Sequence, residues 1–230
     1  MSDADQAAFA RQRQAMVDCQ LRTFDVTDQL VLARMNHVPR EMFVAPAQQQ
    51  LAYSDAALSV PGAAGPRALL LPMALARLLQ DLLIEPGDHV LDVGGGLGYS
   101  AAVIAGLAGS VVALESDPAF SAAAKAAFAA GGLSNAEAVT GSLSAGCAAK
   151  APFDVILVNG AVETGLDALL AQLADGGRLA CIEVADRTAQ AAAGRAVIYE
   201  KSGTEHGRRT LFPANAPRLP EFTRAPAFAF

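Results

Sequence analysis

The arrangement of apolar and polar positions divides the chain into two parts. From residue 89 onward, short apolar runs alternate with longer segments whose apolar residues recur at helical spacing. The runs predict strands over residues 90–93, 111–114, 136–140, 155–159 and 178–184. Helices are predicted between them, over residues 99–107, 119–130, 143–149 and 165–173. Such alternation is typical of the α/β class, in which a mostly parallel, doubly wound sheet carries helices on both faces.

The N-terminal part of the chain lacks this alternation. Helical patterns cover residues 6–21, 29–35 and 73–83, and a loop rich in proline and glycine occupies residues 60–67. We therefore predict an N-terminal helical segment over residues 1–78, which packs on a core formed by residues 79–230. Within that core, regularity fades after residue 187, where two closing strands (194–201 and 208–212) and a proline-punctuated tail are expected.

A glycine turn follows the first predicted core strand. Residues 90–100 read V-L-D-V-G-G-G-L-G-Y-S, and the glycines at 94, 96 and 98 would let backbone N–H groups approach a ligand. The spacing differs from the G-x-G-x-x-G of dinucleotide-binding turns, and Asp92 precedes it. A carboxylate there attracts a cationic ligand and repels phosphates, which favours S-adenosylmethionine over NAD. The structural alternative is a tight turn that binds nothing.

Two further polar residues stand at predicted strand ends. Glu115 ends the second strand, roughly 20 residues after the glycine turn, where an acid binds the two hydroxyls of a nucleoside ribose. The alternative role for Glu115 is an acid at the start of the next helix. Asn159 ends the fourth strand and would face the ligand crevice, or simply form a turn with Gly160. Together with Asp92, these positions favour a nucleoside site.

Composition restricts the possible classes of function. The chain has 230 residues, 53% of them hydrophobic, which suffices for one sizeable core and one or two domains. No apolar stretch approaches the ~18 residues of a transmembrane helix, and the N-terminus does not resemble a secretory signal. The net charge of −6, without a basic run, argues against nucleic-acid binding. The cysteines and histidines are scattered without metal-ligand spacing, so we expect no metal site and a cytoplasmic location.

Four segments carry a resemblance to a known family. They read V-P-R-E-M-F-V at residues 38–44, A-Y-S-D at 52–55, A-P-F-D-V-I-L-V at 151–158 and L-A-Q-L-A-D-G-G-R-L at 170–179. Each is similar to a motif of the protein-L-isoaspartate O-methyltransferases. The resemblance implies the Rossmann-like, S-adenosylmethionine-dependent methyltransferase fold. It also implies methyl transfer to a carboxylate of damaged aspartyl residues.

The chain departs from the family pattern at two places. The family's Q-T-I-S-Q-P segment, whose hydroxyls cradle the acceptor carboxylate, corresponds here to R-A-L-L-L-P at residues 67–72. The resemblance places Arg67 and Leu70 on the acceptor side, where Arg67 would grip a carboxylate bidentately or lie as a solvated loop residue. After the third strand, the family's Gly-Asp is Gly141-Ser142 here, so Ser142 is expected near the adenine.

The resemblance thus implies a cofactor site in which the glycine turn binds the methionine end, Glu115 binds the ribose and Ser142 lies near the adenine. Its expected members are Asp92, Gly94, Gly96, Gly98, Glu115, Ser142 and Asn159. Three functions remain open: methylation of protein or peptide carboxylates, methylation of a different and more apolar acceptor such as a small molecule, and cofactor binding without isoaspartyl activity. We expect a monomer or weak homodimer that has no nucleic-acid or membrane partner.

Overall fold

The computed structural model describes residues 3–60, 67–184 and 194–224. Its strands are β1 (Leu58–Ser59), β2 (Ala68–Leu69), β3 (His89–Val93), β4 (Ser110–Glu115), β5 (Ala136–Thr140), β6 (Phe153–Val162), β7 (Leu173–Glu183), β8 (Arg195–Ser202) and β9 (Glu205–Pro213). Its α-helices are α1 (Asp3–Met16), α2 (Gln29–His37), α3 (Pro72–Leu82), α4 (Tyr99–Ile104), α5 (Pro118–Ala130) and α6 (Asp167–Ala171). Single helical turns of other types lie at Val17–Leu21, Arg22–Phe24, Arg40–Phe43, Pro46–Leu51, Ala148–Lys150 and Pro220–Phe222.

A seven-stranded sheet in the order β5-β4-β3-β6-β7-β8-β9 forms the centre of the molecule. The strands from β5 to β7 are parallel, and β8 and β9 are antiparallel. The chain proceeds outward from β3 through β4 to β5 and then returns to β6 on the other side of β3. This order confirms the predicted doubly wound sheet. It also creates a ligand crevice at the carboxyl ends of β3 and β6, where the strand order reverses.

The central strands are buried on both faces. Every residue of β3 after His89 is buried, and so is every residue of β6 except Asp154. Helices cover both faces of a parallel sheet, so its strands consist of continuous apolar runs. This burial makes the polar Asp92 and Asn159 conspicuous, because a buried polar side chain needs hydrogen-bond partners.

Several predicted elements differ in length from those observed. The helix predicted over residues 143–149 is reduced to the turn Ala148–Lys150, because Gly146 adopts a left-handed φ of 70° that interrupts a helix. The helix predicted over residues 165–173 begins only at α6, after Gly165 with its φ of 88°. The predicted helix 99–107 ends early, at Ile104 of α4. The predicted closing strands are observed as β8 and β9.

The N-terminal helices pack against the core. The predicted boundary after residue 78 falls within α3, which contacts α2 on one side and β7 and β8 on the other. The division of the chain at this point stays a prediction. Most of the predicted loop 60–67 lies outside the described residues. In the part of the chain that the structure describes, no helix is long and apolar enough to cross a bilayer.

The tail after β9 returns to the carboxyl end of the sheet. The Ala161 N–H donates to the Pro217 carbonyl at 2.9 Å, and the Leu219 N–H donates to the Ala161 carbonyl at 3.0 Å. These two bonds place residues 217–219 along the end of β6. The tail therefore borders the crevice at Leu219, which a Cβ on Gly94 would contact at 3.5 Å.

Candidate functional site

Side chains do not fit at the glycine turn between β3 and α4, so the turn consists of bare backbone. Gly94, Gly96 and Gly98 have φ values of 73°, 67° and 93°, which favour glycine over any residue with a side chain. A Cβ atom on Gly95 would lie 2.5 Å from Asp92 Oδ2 and 2.6 Å from Ser100 Oγ. The turn thus forms a backbone cradle directly above Asp92.

Asp92 is a fully buried carboxylate below this cradle. Its Oδ2 accepts a hydrogen bond from Ser100 Oγ at 2.7 Å, and its Oδ1 accepts one from Asn159 Nδ2 at 2.8 Å. Burial raises the pKa of Asp92 to about 6, with the nearby charge of Glu115 contributing, whereas the hydrogen bonds from Ser100 and Asn159 oppose the rise. A cation bound above Asp92 would therefore be stabilised by a carboxylate that forms no ion pair with any described residue.

Glu115 lies at the end of β4 with its two carboxylate oxygens in different situations. Oε1 accepts hydrogen bonds from the Gly96 N–H and from Arg67 Nη2. Oε2 is buried and has no hydrogen-bond partner among the described residues. Burial raises the pKa of Glu115, and the charge of Arg67 opposes that rise. Since a buried carboxylate oxygen without a partner is costly, Oε2 is suited to accept a hydroxyl hydrogen of a ligand.

Arg67 is not a solvent-exposed loop residue. It is buried, and its Nη2 donates to Glu115 Oε1 at 2.6 Å and to the Gly94 carbonyl at 2.9 Å. The Val60 N–H donates to the Arg67 carbonyl at 2.8 Å, which holds the start of β2 over the glycine turn. The guanidinium is thus paired with the predicted ribose acid, and contact with an acceptor carboxylate stays a prediction.

A small cavity separates the glycine turn from β2 and α3. It is lined by Arg40, Ala68, Leu69, Leu70, Leu75, Gly94, Gly95, Tyr99, Ser100 and Asn159. Leu70 therefore lies on the cavity that faces the glycine turn, as the acceptor-side assignment requires. The wall that the leucines form offers no side-chain hydroxyl to a carboxylate.

Ser142, in the loop after β5, is joined to the C-terminal tail. Its hydroxyl donates to Glu221 Oε2 at 2.5 Å, and the Ser144 N–H is 3.4 Å from the same oxygen. Burial alone would raise the pKa of Glu221, but the hydrogen bonds from Ser142 and the neighbouring backbone outweigh it and lower that pKa. A carboxylate thus stands beside the position at which the family's aspartate is replaced by serine.

Sequence reasoning missed four residues of this site. Ser100 belongs to the glycine-turn segment, and its hydroxyl at the second position of α4 is the signal that could have identified it. Arg40 belongs to the V-P-R-E-M-F-V motif, which indicates the family resemblance but gives no separate role to the arginine. Leu219 and Glu221 gave no signal, because the tail has no periodicity. Leu219 packs so closely at the end of β6 that a Cβ on Gly160 would lie 2.5 Å from its Cγ.

The residues present fit a cationic nucleoside. The glycine cradle, the unneutralised Asp92 and the unpartnered Oε2 of Glu115 provide a backbone surface, an anion and a hydroxyl acceptor, respectively. The cation beside the turn, Arg67, is already paired with Glu115. This donor set suits a ligand that carries positive charge and ribose hydroxyls but no phosphate.

Comparisons with known proteins agree with this geometry. A family model described as protein-L-isoaspartate(D-aspartate) O-methyltransferase matches residues 11–204. A protein-L-isoaspartate O-methyltransferase of Koribacter versatilis is 40% identical over 175 residues, which cover 76% of this chain and 78% of that protein. Another, protein-L-isoaspartate O-methyltransferase 1 of Rhodopseudomonas palustris, is 38% identical over 186 residues, covering 81% of this chain and 75% of that protein.

A solved structure extends the likeness to the fold. It is titled protein-L-isoaspartate O-methyltransferase and superposes with a TM-score of 0.77 at 22% identity, covering 91% of this chain and 67% of that chain. At this level of identity the superposition establishes the shared fold. The predicted Rossmann-like methyltransferase architecture is thereby confirmed.

Proposed function

Because the chain belongs to the protein-L-isoaspartate O-methyltransferase family, we propose that it methylates the free carboxylate of isoaspartyl residues in damaged proteins. Family membership confirms the predicted enzyme class and S-adenosylmethionine as the cofactor. The observation that best supports a working cofactor site in this chain is the buried, unpartnered Oε2 of Glu115 beside the glycine cradle. The assignment of individual residues to parts of the cofactor is our proposal.

We place the methionine end of the cofactor over the glycine turn, above Asp92. Its ammonium and sulfonium groups would be stabilised by the carboxylate of Asp92, which Ser100 and Asn159 orient. The ribose hydroxyls would donate to Glu115, and the adenine would lie beside the hydrogen-bonded pair Ser142 and Glu221. This order follows the carboxyl ends of β3, β4 and β5, which are neighbours in the sheet.

Methyl transfer to a carboxylate requires no general acid or base from the protein. When bound, S-adenosylmethionine supplies an electrophilic methyl group on a sulfonium. A carboxylate oxygen of the acceptor forms the new C–O bond, the C–S bond breaks, and its electron pair remains on the sulfur, so no proton is transferred. An aspartyl carboxylate is already ionised at neutral pH. The residues around the cavity therefore act by positioning the two reactants and by excluding water.

The lining of the cavity supports a second candidate. Leu69, Leu70 and Leu75 face the glycine turn, and burying a carboxylate against alkyl groups is costly unless it is paired. A more apolar acceptor, including a small molecule, is therefore the alternative substrate.

Some further properties are also proposals. We infer a cytoplasmic protein, since all three cysteines are free, and a monomer or weak homodimer. The net charge of −6 supports an acceptor other than nucleic acid. We further propose that residues 1–78 contribute the acceptor side and residues 79–230 the cofactor side.

The test is methyl transfer from labelled S-adenosylmethionine to a synthetic peptide that contains either isoaspartate or aspartate at one position. We expect label only in the isoaspartyl peptide, and its release by mild base, because methyl esters hydrolyse readily. Glu115→Gln should lower the transfer, whereas the control Glu137→Gln should not, since Glu137 is exposed and pairs with Lys150. Absence of label in the isoaspartyl peptide, with a folded protein that binds S-adenosylhomocysteine, would contradict the proposed acceptor.

A further inference from the structure

Arg40 is a fully buried cation on the cavity beside the glycine turn. It lies in the turn Arg40–Phe43, and none of its surface is exposed. Its Nε donates to the Ala52 carbonyl at 3.0 Å, and its Nη2 donates to the Leu70 carbonyl at 2.8 Å. These bonds fix the plane of the guanidinium against the acceptor-side segment.

One nitrogen of this guanidinium is left over. Nη1 is buried and has no hydrogen-bond partner among the described residues. A guanidinium has five N–H groups and accepts no hydrogen bonds, so only an acceptor can satisfy Nη1. Arg40 lines the small cavity together with Leu70 and Gly95, so an acceptor that enters the cavity would meet the guanidinium.

No carboxylate of the described residues forms an ion pair with Arg40. The adjacent Glu41 accepts a hydrogen bond from the Tyr53 hydroxyl, and its Oε1 lies 3.7 Å from Arg13 Nη1. Glu41 is therefore paired with Arg13. The Tyr99 ring, whose centroid is 4.7 Å from Arg40 Cζ, stabilises the cation only weakly compared with an anion. A buried charge without a partner is costly, and a ligand anion would remove that cost.

We propose that Arg40 binds a carboxylate that enters this cavity during the reaction. The inference rests on the proposed function, because both carboxylates available in that reaction are candidates: the α-carboxylate of the cofactor and the isoaspartyl carboxylate of the acceptor. A carboxylate fits better than a phosphate, since Arg40 has one nitrogen to offer and Asp92 below the cradle repels a dianion more strongly than a monoanion. Arg40 would thus provide the polar contact that Leu69 and Leu70 cannot.

The experiment compares wild type with Arg40→Met, which keeps the length and apolar stem of the side chain. The control is Arg34→Met, because Arg34 also donates to backbone carbonyls, those of Ala102 and Val103, but does not line the cavity. Calorimetry measures affinity for S-adenosylhomocysteine and for 5′-methylthioadenosine, which lacks the amino-acid carboxylate. The KM for an isoaspartyl peptide is measured at saturating cofactor.

The two sources of carboxylate give different results. If Arg40 binds the cofactor, Arg40→Met weakens S-adenosylhomocysteine about 10- to 100-fold and leaves 5′-methylthioadenosine unchanged, as expected for a charged hydrogen bond. If it binds the acceptor, the KM for the peptide rises by a similar factor, with both affinities unchanged. Arg34→Met should alter none of these quantities.

Unchanged S-adenosylhomocysteine affinity and unchanged KM in a folded Arg40→Met protein would overturn the inference. Should Arg40→Met fail to fold, Arg40→Lys tests the inference instead. It keeps the charge but loses the planar guanidinium, so the loss of S-adenosylhomocysteine affinity or the rise in peptide KM should be smaller than the one expected for Arg40→Met. A wild-type protein that binds S-adenosylhomocysteine but methylates no isoaspartyl peptide would refute the proposed function alone. In that case the calorimetric comparison still decides the role of Arg40.

Discussion

Replacing Asp92 by asparagine should stabilise the protein without cofactor while weakening the binding of S-adenosylmethionine. Asparagine has the same shape and can accept from Asn159 Nδ2 through its oxygen and donate to Ser100 Oγ through its amide. The substitution therefore removes a buried negative charge and keeps the hydrogen bonds. A cation bound above the glycine turn loses its counter-charge at the same time.

The magnitude follows from the pKa of Asp92. It is about 6 in the folded protein, compared with an ordinary value of 3.8. Because the folded value is the higher one, the folded protein binds more protons in this window, and its stability falls as pH rises from about 4 to 6. The charged carboxylate then costs about 3 kcal/mol at pH 7.5 and about 2 kcal/mol at pH 5.

The assay is urea unfolding of wild type and Asp92→Asn at both pH values, without cofactor. We expect the variant to be more stable by up to about 3 kcal/mol at pH 7.5 and by less at pH 5. Asp55→Asn, which removes one charge at an exposed position, is the control and should show neither effect. A variant that is less stable than wild type by the same amount at both pH values would show that Asp92 is held mainly by its hydrogen bonds, and would refute the argument.

Three further predictions concern the cofactor site. Glu115→Gln should weaken S-adenosylhomocysteine by about 1.5–3 kcal/mol in a calorimetric titration, the range for hydrogen bonds to a charged group, and unchanged affinity would exclude the ribose assignment. Gly95→Ala should lower the melting temperature, because its Cβ would clash with Asp92 and Ser100. The control Gly87→Ala, whose Cβ would have no neighbour within 4 Å, should not lower it, and equal melting temperatures of the two variants would refute the argument. Ser142→Asp should destabilise the protein by about 1 kcal/mol in thermal unfolding, because the new carboxylate would face that of Glu221. Adding Glu221→Gln should restore the stability, and an undiminished stability in the single variant would contradict the observed pairing.

The amino-acid sequence by itself determined the sheet and which strand ends meet at the candidate cofactor site. Strand and glycine signals are local, and the carboxyl ends of parallel strands necessarily meet at one edge of the sheet. Asp92 and Glu115 could therefore be assigned to one site from their positions at two strand ends. Helix lengths were less predictable, because single glycines such as Gly146 shorten a helix that the apolar pattern would allow.

Only the tertiary structure decided how the charged side chains are paired. Arg67 meets Glu115 across 48 positions of the chain, and Ser142 meets Glu221 across 79. Such contacts depend on how a loop and a tail cross the end of the sheet, and they leave no periodic trace in the sequence. The same holds for Arg40, because only the folded structure shows that its Nη1 has no partner among the described residues. Burial makes these pairings matter, because a charge removed from water must find its partner within the fold.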